Sequence, residues 1–125
     1  MNRGGNKIKS RQRQLTNFDF QRKGKQTKGR IDVEKYIVRC DRSGVFYGEV
    51  EKRNGQEVTM RNARCLWYWS GAASLMQLAK EGVKNPDACK FTVALDELTV
   101  LDAIEILPCY PAAVAIIERV PEWKD

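Results

Sequence analysis

Hydrophobic residues in the first half of the chain fall in short β-branched and aromatic runs that turn residues separate. The run YIVRC is followed by the turn residues DRSG, in which Gly44 can take a positive φ, and VFYGEVEKR resumes as a strand. Asn54-Gly55 then separates EVEKR from QEVTM, which is the strongest short-range signal for a hairpin. The third strand restarts after RNA as RCLWYW. This pattern predicts three antiparallel strands.

A helix is predicted directly after these strands. Ser70 stands where an N-cap residue is expected, Lys80 occupies the last turn, and Gly82 follows as the residue after the helix. The apolar residues between them have helical spacing: Ala72, Leu75, Met76 and Ala79. The pattern predicts about ten helical residues with one face packed on the sheet.

The last third of the chain returns to strands and ends with another helix. KFTVAL alternates apolar and polar residues, and LTVLDAIEIL indicates a further strand after a bend at DE. Pro111 suits a first helical turn, and a short amphipathic run follows it up to Pro121. The element order is βββ-α-ββ-α. We therefore predict an α+β fold with an antiparallel sheet of about five strands and two short helices.

Charge divides the chain into two parts. Residues 1–30 hold ten Lys and Arg but one acid, Asp19, so their net charge is +9. Because the whole chain has a net charge of +6, residues 31–125 have a net charge of −3. The few apolar residues of that segment follow no sustained period, so they cannot offset chain entropy by burial. We predict a basic disordered arm over residues 1–31 and a single α+β domain over residues 32–125.

The composition argues against several classes of protein. There is no histidine, and the four cysteines are widely spaced without a CxxC pair, so we expect reduced thiols, no metal and no cofactor. No apolar run reaches the roughly 20 residues that a membrane span needs. No secretory leader precedes the domain, so we expect a soluble protein of the cytoplasm.

Motifs for catalysis are missing as well. The sequence has no GxSxG, Walker loop or GxGxxG, and a cysteine nucleophile would lack a histidine partner. The acids of the domain fall on predicted hairpin surfaces rather than as an evident catalytic pair. We predict that the protein is not an enzyme.

The aromatic run LWYW is the main candidate for function. In an extended strand Trp67 and Trp69 share one face, and Tyr68 lies on the other with Arg64. Aromatic residues in a small fold usually pack in the core, but a two-layer fold has one solvated sheet face. Either the tryptophans or Tyr68 should therefore be exposed or lie in an interface.

Donors for a phosphate surround this run. Arg64 and Tyr68 should lie roughly 13 Å apart on one face, a span that suits a nucleotide, although exposed strand arginines are usually solvated. Arg61 lies roughly 20 Å from Trp67, so both can hold one ligand only if the strand bends or a second subunit contributes. The predicted helix start and the loop after it add backbone and side-chain donors. The candidate ligand-binding residues are Arg61, Arg64, Trp67, Tyr68, Trp69, Ser70, Gly71, Ser74, Asn85 and Lys90.

The basic arm supports a second hypothesis. Its cations interleave with Phe18 and Phe20, a pattern that can neutralise phosphates on DNA or RNA and stack on bases. A solubilising tail is the other interpretation. The candidate residues for nucleic acid are Arg11, Arg13, Arg22, Lys23 and Lys25.

The run DRSGVFYGEVEKRNGQEVTMRNARCLWYWSGAASLMQLAKEGVKNPDACKF, followed by AIEILPC and a closing VPEWK, resembles a family of uncharacterised small phage and prophage proteins. That family lies close to the first Thoeris anti-defence proteins. The run LWYWSGAASL is distinctive for the uncharacterised phage family. The likeness covers about residues 36–124 and leaves out the basic arm.

This resemblance implies a function without catalysis. Thoeris anti-defence proteins act as sponges that sequester cyclic ADP-ribose-type immune signals in the host cytoplasm, and some also bind cyclic oligonucleotides. It also implies a homo-oligomer, a dimer or higher, with no membrane partner. The sequence thus predicts a phage-encoded nucleotide sponge first, a nucleic-acid accessory protein second, and an assembly component third.

Overall fold

The computed structural model describes residues 34–125, so the predicted arm, with Arg11, Arg13, Arg22, Lys23 and Lys25, lies outside the described residues. The described part has an antiparallel sheet and two helices, which confirms the predicted α+β class. Its elements are β1 (Tyr36–Cys40), β2 (Val45–Asn54), β3 (Glu57–Tyr68), α1 (Leu75–Glu81), a 3-10 turn (Pro86–Ala88), β4 (Lys90–Phe91), β5 (Leu95–Val100), β6 (Ala103–Pro108) and α2 (Pro111–Ile117).

The sheet curls because its two outer strands are consecutive in the chain. The strand order is β4-β3-β2-β1-β6, and β5 pairs with the part of β3 that β4 leaves free. In a flat sheet β5 and β6 would be separated by four strand spacings, roughly 19 Å. The link between them is only Leu101 and Asp102, so Val100 and Ala103 can be at most about 11 Å apart. The sheet must therefore close on itself at this end.

Backbone hydrogen bonds hold that closed end. The Ala103 amide donates to the Gln56 carbonyl at 3.0 Å, and the Asp41 amide donates to the Asp102 carbonyl at 2.9 Å. The Asp102 carboxylate also accepts from the Arg42 amide at 2.7 Å. The turns at the ends of β1, β2 and β5 are thus fastened to one another.

Curling gives the protein two hydrophobic cores, one on each face of the sheet. The helices α1 and α2 cover part of the convex face, whereas the curled strands enclose the other face themselves. The rest of the convex face is solvated, since the side chains of Arg61 and Glu97 there are 43% and 56% exposed, so the expectation of one solvated sheet face is met only in part. The helical core includes Ile37, Tyr47, Leu66, Leu78, Phe91, Leu107 and Ile117, and the enclosed core includes Tyr36, Val38, Val50, Val58, Met60, Ala63 and Val100.

The third strand does not stop at RNA but contains a bulge there. Pairing with β2 slips from Tyr47 opposite Arg64 to Glu49 opposite Arg61, so three steps on β3 match two on β2. Asn62, within the bulge, has a φ of 52°. The extra residue changes which side chains face each core while the strand continues.

The first helix starts later than predicted. It has seven residues, Leu75–Glu81, and its N-cap is Ser74, whose hydroxyl accepts from the Gln77 amide. Ser70 lies in a loop instead, because its carbonyl and that of Gly71 accept from the amides of residues 85 and 84. Backbone pairing with this neighbouring loop replaces the first helical turn.

The second helix begins at Pro111, as predicted, and ends at Ile117, before Pro121. Its C-terminal Glu118 is anchored to the sheet by the Tyr47 hydroxyl at 2.8 Å and by Lys35 at 3.5 Å. Neither helix in residues 34–125 is long and apolar enough to cross a membrane.

Replacing Gly48, opposite the bulge, should destabilise the fold. A Cβ there would lie 2.8 Å from the Arg61 carbonyl oxygen and 3.0 Å from the Ala63 Cα. Both are backbone atoms, so relieving the contact requires the strand β3 itself to shift. We expect Gly48→Ala to lower the free energy of unfolding by about 1–3 kcal/mol in urea denaturation. Gly55→Asn is the control, since nothing lies within 4 Å of that site and Asn tolerates its φ of +63°. Equal losses in both variants would contradict this account of the bulge.

Stability should fall in alkali because of a buried phenol. Burial, followed by the bonded Glu118 carboxylate, raises the pKa of Tyr47 far above its ordinary value of 10.0. A pKa raised by folding contributes stability below pH 10 that is lost as pH rises further. We expect the melting temperature to drop steeply above pH 10. The drop should be smaller in Tyr47→Phe, and identical profiles for the two proteins would refute the assignment.

Candidate functional site

Two exposed indole rings stack at the end of the sheet. The rings of Trp67 and Trp123 have centroids 6.1 Å apart and an interplanar angle of 16°. Trp67 is 65% exposed and Trp123 is 45% exposed, although large aromatic residues are usually buried. Neither ring belongs to the two hydrophobic cores of the described domain.

The C-terminal segment brings the second ring to this place. β4 lies between β3 and the segment after α2, where Glu122 forms an isolated parallel bridge with Phe91. The Trp123 amide donates to the Phe91 carbonyl at 2.8 Å. Trp123 therefore reaches Trp67 from a position 56 residues further along the chain.

A cation lies beside the stacked rings. The Lys90 ammonium is 5.5 Å from the centroid of the Trp123 ring, within the range of a cation–π contact. Lys124, by contrast, forms an ion pair with Glu122 at 3.4 Å. Trp67, Trp123 and Lys90 together are called the aromatic surface below. It offers flat π faces and one ammonium group.

The other two aromatic residues of LWYW are placed differently. Tyr68 is 51% exposed and is paired with Lys90 across β3 and β4, at a shift in register that interrupts the strand alternation at Trp67. Trp69 comes after the strand ends and packs, partly buried, against the helical core. Strand alternation predicted that Trp67 and Trp69 share one face. That prediction is wrong, because Trp67 is exposed whereas Trp69 packs against the helical core.

Arg64 is not available to a ligand. It is buried, and its guanidinium is occupied by main-chain carbonyl groups and lies 5.5 Å from the Phe91 ring centroid. Burial lowers the pKa of this guanidinium. The prediction that Arg64 binds phosphate is therefore corrected, since its donors bind the protein's own backbone. The accepting carbonyls are those of Thr92 at 2.8 Å, Phe91 at 3.1 Å, Val120 at 3.1 Å, Ile117 at 3.3 Å and Pro121 at 3.3 Å.

Arg61 is engaged elsewhere on the sheet. Its guanidinium forms ion pairs with Glu51 at 2.7 Å and with Glu97 at 3.4 Å. A hydrogen bond with Glu51 raises the pKa of Arg61. It pairs with β5, whereas Trp67 lies on the part of β3 next to β4. The structure does not bring Arg61 to the aromatic surface.

The residues predicted to form an open helix terminus brace a loop instead. Asn85 donates its side-chain amide to the Ser70 hydroxyl at 3.0 Å. A Cβ on Gly71 would lie 2.3 Å from the Lys84 nitrogen, so that glycine is needed for a close approach of two chain segments. Ser74 caps the short helix α1 itself. These residues therefore do not present a set of free donors.

Among the nominated residues, the structure brings Trp67 and Lys90 together and adds Trp123, which sequence reasoning missed. The only signal for Trp123 was its place in the closing VPEWK. Stacking with Trp67 could not be inferred because the pairing of β4 with the last residues is a tertiary contact. Within residues 34–125, no group of three or more Cys, Asp or Glu side chains is placed to hold a metal ion.

The cysteines of the described domain are free thiols. Burial raises the pKa of Cys40 to about 11, with Asp102 adding to the effect, and burial raises the pKa of Cys109 to about 12. Burial also raises the pKa of Cys65. A raised thiol pKa means less of the reactive thiolate at neutral pH.

Alkylation should therefore be slow in the folded protein. At pH 8 a thiol with a pKa near 11 has about a hundredfold less thiolate than one near 9. We expect iodoacetamide to label Cys40 and Cys109 at least about tenfold more slowly than in denaturant, with rates rising toward pH 10. Peptide mass spectrometry measures each site. Rapid labelling at pH 8 in the native state would show that these thiols are activated.

Comparison with known proteins adds the family. No curated protein and no solved structure shows a significant match to the chain. A family model described as a domain of unknown function, DUF6948, matches residues 33–117. The matched range runs from the residue before the described domain to the end of α2, so it includes Trp67 and Lys90 and ends before Trp123. Because it spans more than half of the chain, the chain belongs to the DUF6948 family.

Proposed function

We propose that this protein binds a nucleotide on the aromatic surface and holds it without cleaving it. The observation that carries the proposal is the exposed Trp67–Trp123 stack with the Lys90 ammonium beside it. Flat indole faces suit a nucleobase, and an ammonium group suits a phosphate. Large aromatic side chains that lie together and exposed on a protein surface often mark a binding site.

The energetics favour a stacked ligand. A base on an aromatic side chain contributes about 1–3 kcal/mol, which corresponds to roughly 5- to 150-fold in affinity. Trp67 is already held against Trp123, so binding does not have to order both rings. Lys90 forms no ion pair with another described residue, which leaves its charge for a phosphate.

The ligand we propose is a signalling nucleotide of the cyclic ADP-ribose type, captured in competition with a host immune protein. This narrower proposal is supported by the resemblance of LWYWSGAASL and the closing VPEWK to the uncharacterised phage family, which lies close to the sponge proteins. Both motifs contribute a ring to the aromatic surface. A sponge needs recognition and retention only, which matches a surface of indoles and one cation.

A homo-oligomer, which the resemblance implies, is part of this proposal. A second subunit is not needed to bring Arg61 to Trp67, since Arg61 already has Glu51 and Glu97 as partners. The outer face of the Trp67 ring gives a different reason, since a ligand stacked there would have its second face open. A ring from another copy could cover that face.

The nucleic-acid hypothesis keeps one supporting observation, the +9 charge of residues 1–30 against −3 for the remainder. Such a segment binds phosphates with a steep dependence on salt. That activity would reside in the arm, whereas nucleotide capture would reside in the domain.

Calorimetric titration of the full chain tests the first proposal. We expect one member of a panel of cyclic ADP-ribose isomers and cyclic oligonucleotides to bind, and to be recovered unchanged by chromatography. Trp67→Ala should weaken binding by roughly tenfold or more, because one stacked face is lost. Leu101→Ala is the matched control, since Leu101 is 71% exposed at the other end of the sheet. Absence of heat across the panel would refute the proposal.

Deleting residues 1–33 separates the two hypotheses. We expect nucleotide binding to persist in the shortened chain and binding to duplex DNA or RNA, if the full chain shows it, to be lost together with its salt dependence. Fluorescence anisotropy at several salt concentrations measures the second activity. Loss of nucleotide binding on deletion would place the site in the arm and contradict the assignment to the aromatic surface.

A further inference from the structure

We infer that Arg64 is a positioning residue for the aromatic surface: its buried guanidinium fixes the C-terminal segment so that Trp123 stacks on Trp67. The inference rests on the proposed function only for its binding readout. Arg64 touches neither face of the rings. It acts through the backbone that carries Trp123.

The C-terminal segment has few other attachments. After α2 ends at Ile117, the chain makes a short turn, and residues 121–125 are all exposed. The backbone of this segment is held to β4 by the parallel bridge between Glu122 and Phe91, with the Trp123 amide donating to the Phe91 carbonyl at 2.8 Å. Side-chain contacts of Trp123 with Trp67 and Lys90 complete its attachment.

Arg64 bridges the two chain segments that must be aligned. On one side it donates to the carbonyls of Phe91 and Thr92, and on the other to those of Val120 and Pro121. The Phe91 carbonyl is shared, since it accepts from the Arg64 Nη2 at 3.1 Å and from the Trp123 amide at 2.8 Å. The Arg64 guanidinium and the Trp123 amide thus donate to the same carbonyl oxygen.

The register of the segment decides which side chain faces Trp67. Side chains alternate in an extended chain, so a slip of one residue would replace Trp123 by Glu122 or Lys124. A guanidinium presents five donors in a fixed planar fork, whereas a lysine ammonium has three on a flexible stem. Lysine at position 64 would keep the charge but could not bridge both segments at once.

The test replaces Arg64 by Lys in the full chain and follows the stacked rings by circular dichroism. Two indoles in contact couple their electronic transitions and give an exciton couplet when the transition moments are inclined to one another within the stack. Trp123→Phe should abolish this signal and so defines the baseline. We expect Arg64→Lys to lose most of the couplet while still melting cooperatively. Arg39→Lys, a control at the exposed position of β1, should keep it. A retained couplet, or loss of cooperative melting, would overturn the inference.

A double-mutant cycle separates positioning from general stability. Titration with cyclic ADP-ribose is made for the parent, Arg64→Lys, Trp123→Ala and the double variant. We expect each single change to weaken binding by roughly tenfold, and the double variant to bind no worse than Trp123→Ala. If the double variant instead loses affinity by the product of the two single losses, the inference is overturned. Should the parent not bind, the proposed function fails, while the couplet still decides the role of Arg64.

Discussion

The buried guanidinium of Arg64 is the interaction on which the arrangement of this domain depends. A cation taken out of water is stable only when its donors are satisfied, and here five carbonyls from two separate segments satisfy them. Those carbonyls belong to the strand β4 region, to the last residue of α2 and to the chain that follows it. One side chain on β3 therefore joins the sheet, the second helix and the C-terminal segment.

Closure of the sheet explains where a functional surface can exist. The two-residue link between β5 and β6 forces the strands to curl, and curling buries the concave face. The helices bury the part of the convex face that they cover. Trp67, near the end of β3, lies outside both cores, and Trp123 stacks on it there.

Local signals predicted much of this fold. The Asn54-Gly55 signal predicted its hairpin, whose two-residue turn is Gly55-Gln56 with Gly55 at a φ of 63°. Pro111 specified the start of α2 because its φ suits a first helical turn. The start of α1 was misplaced because Ser70 and Ser74 are both good caps. The choice between them depends on the loop at residues 84 and 85, which pairs with the backbone of residues 70 and 71.

The sequence by itself determined the fold class, the first three strands and the charge division, since each follows from neighbouring residues or from composition. Only the tertiary structure decided that Arg64 is buried and that Trp123 is the residue that stacks on Trp67. Exposed and buried arginines look the same in a strand pattern, because burial depends on which carbonyls converge from elsewhere. The Trp67–Trp123 stack likewise depends on the alignment of segments 56 residues apart, which no local pattern encodes.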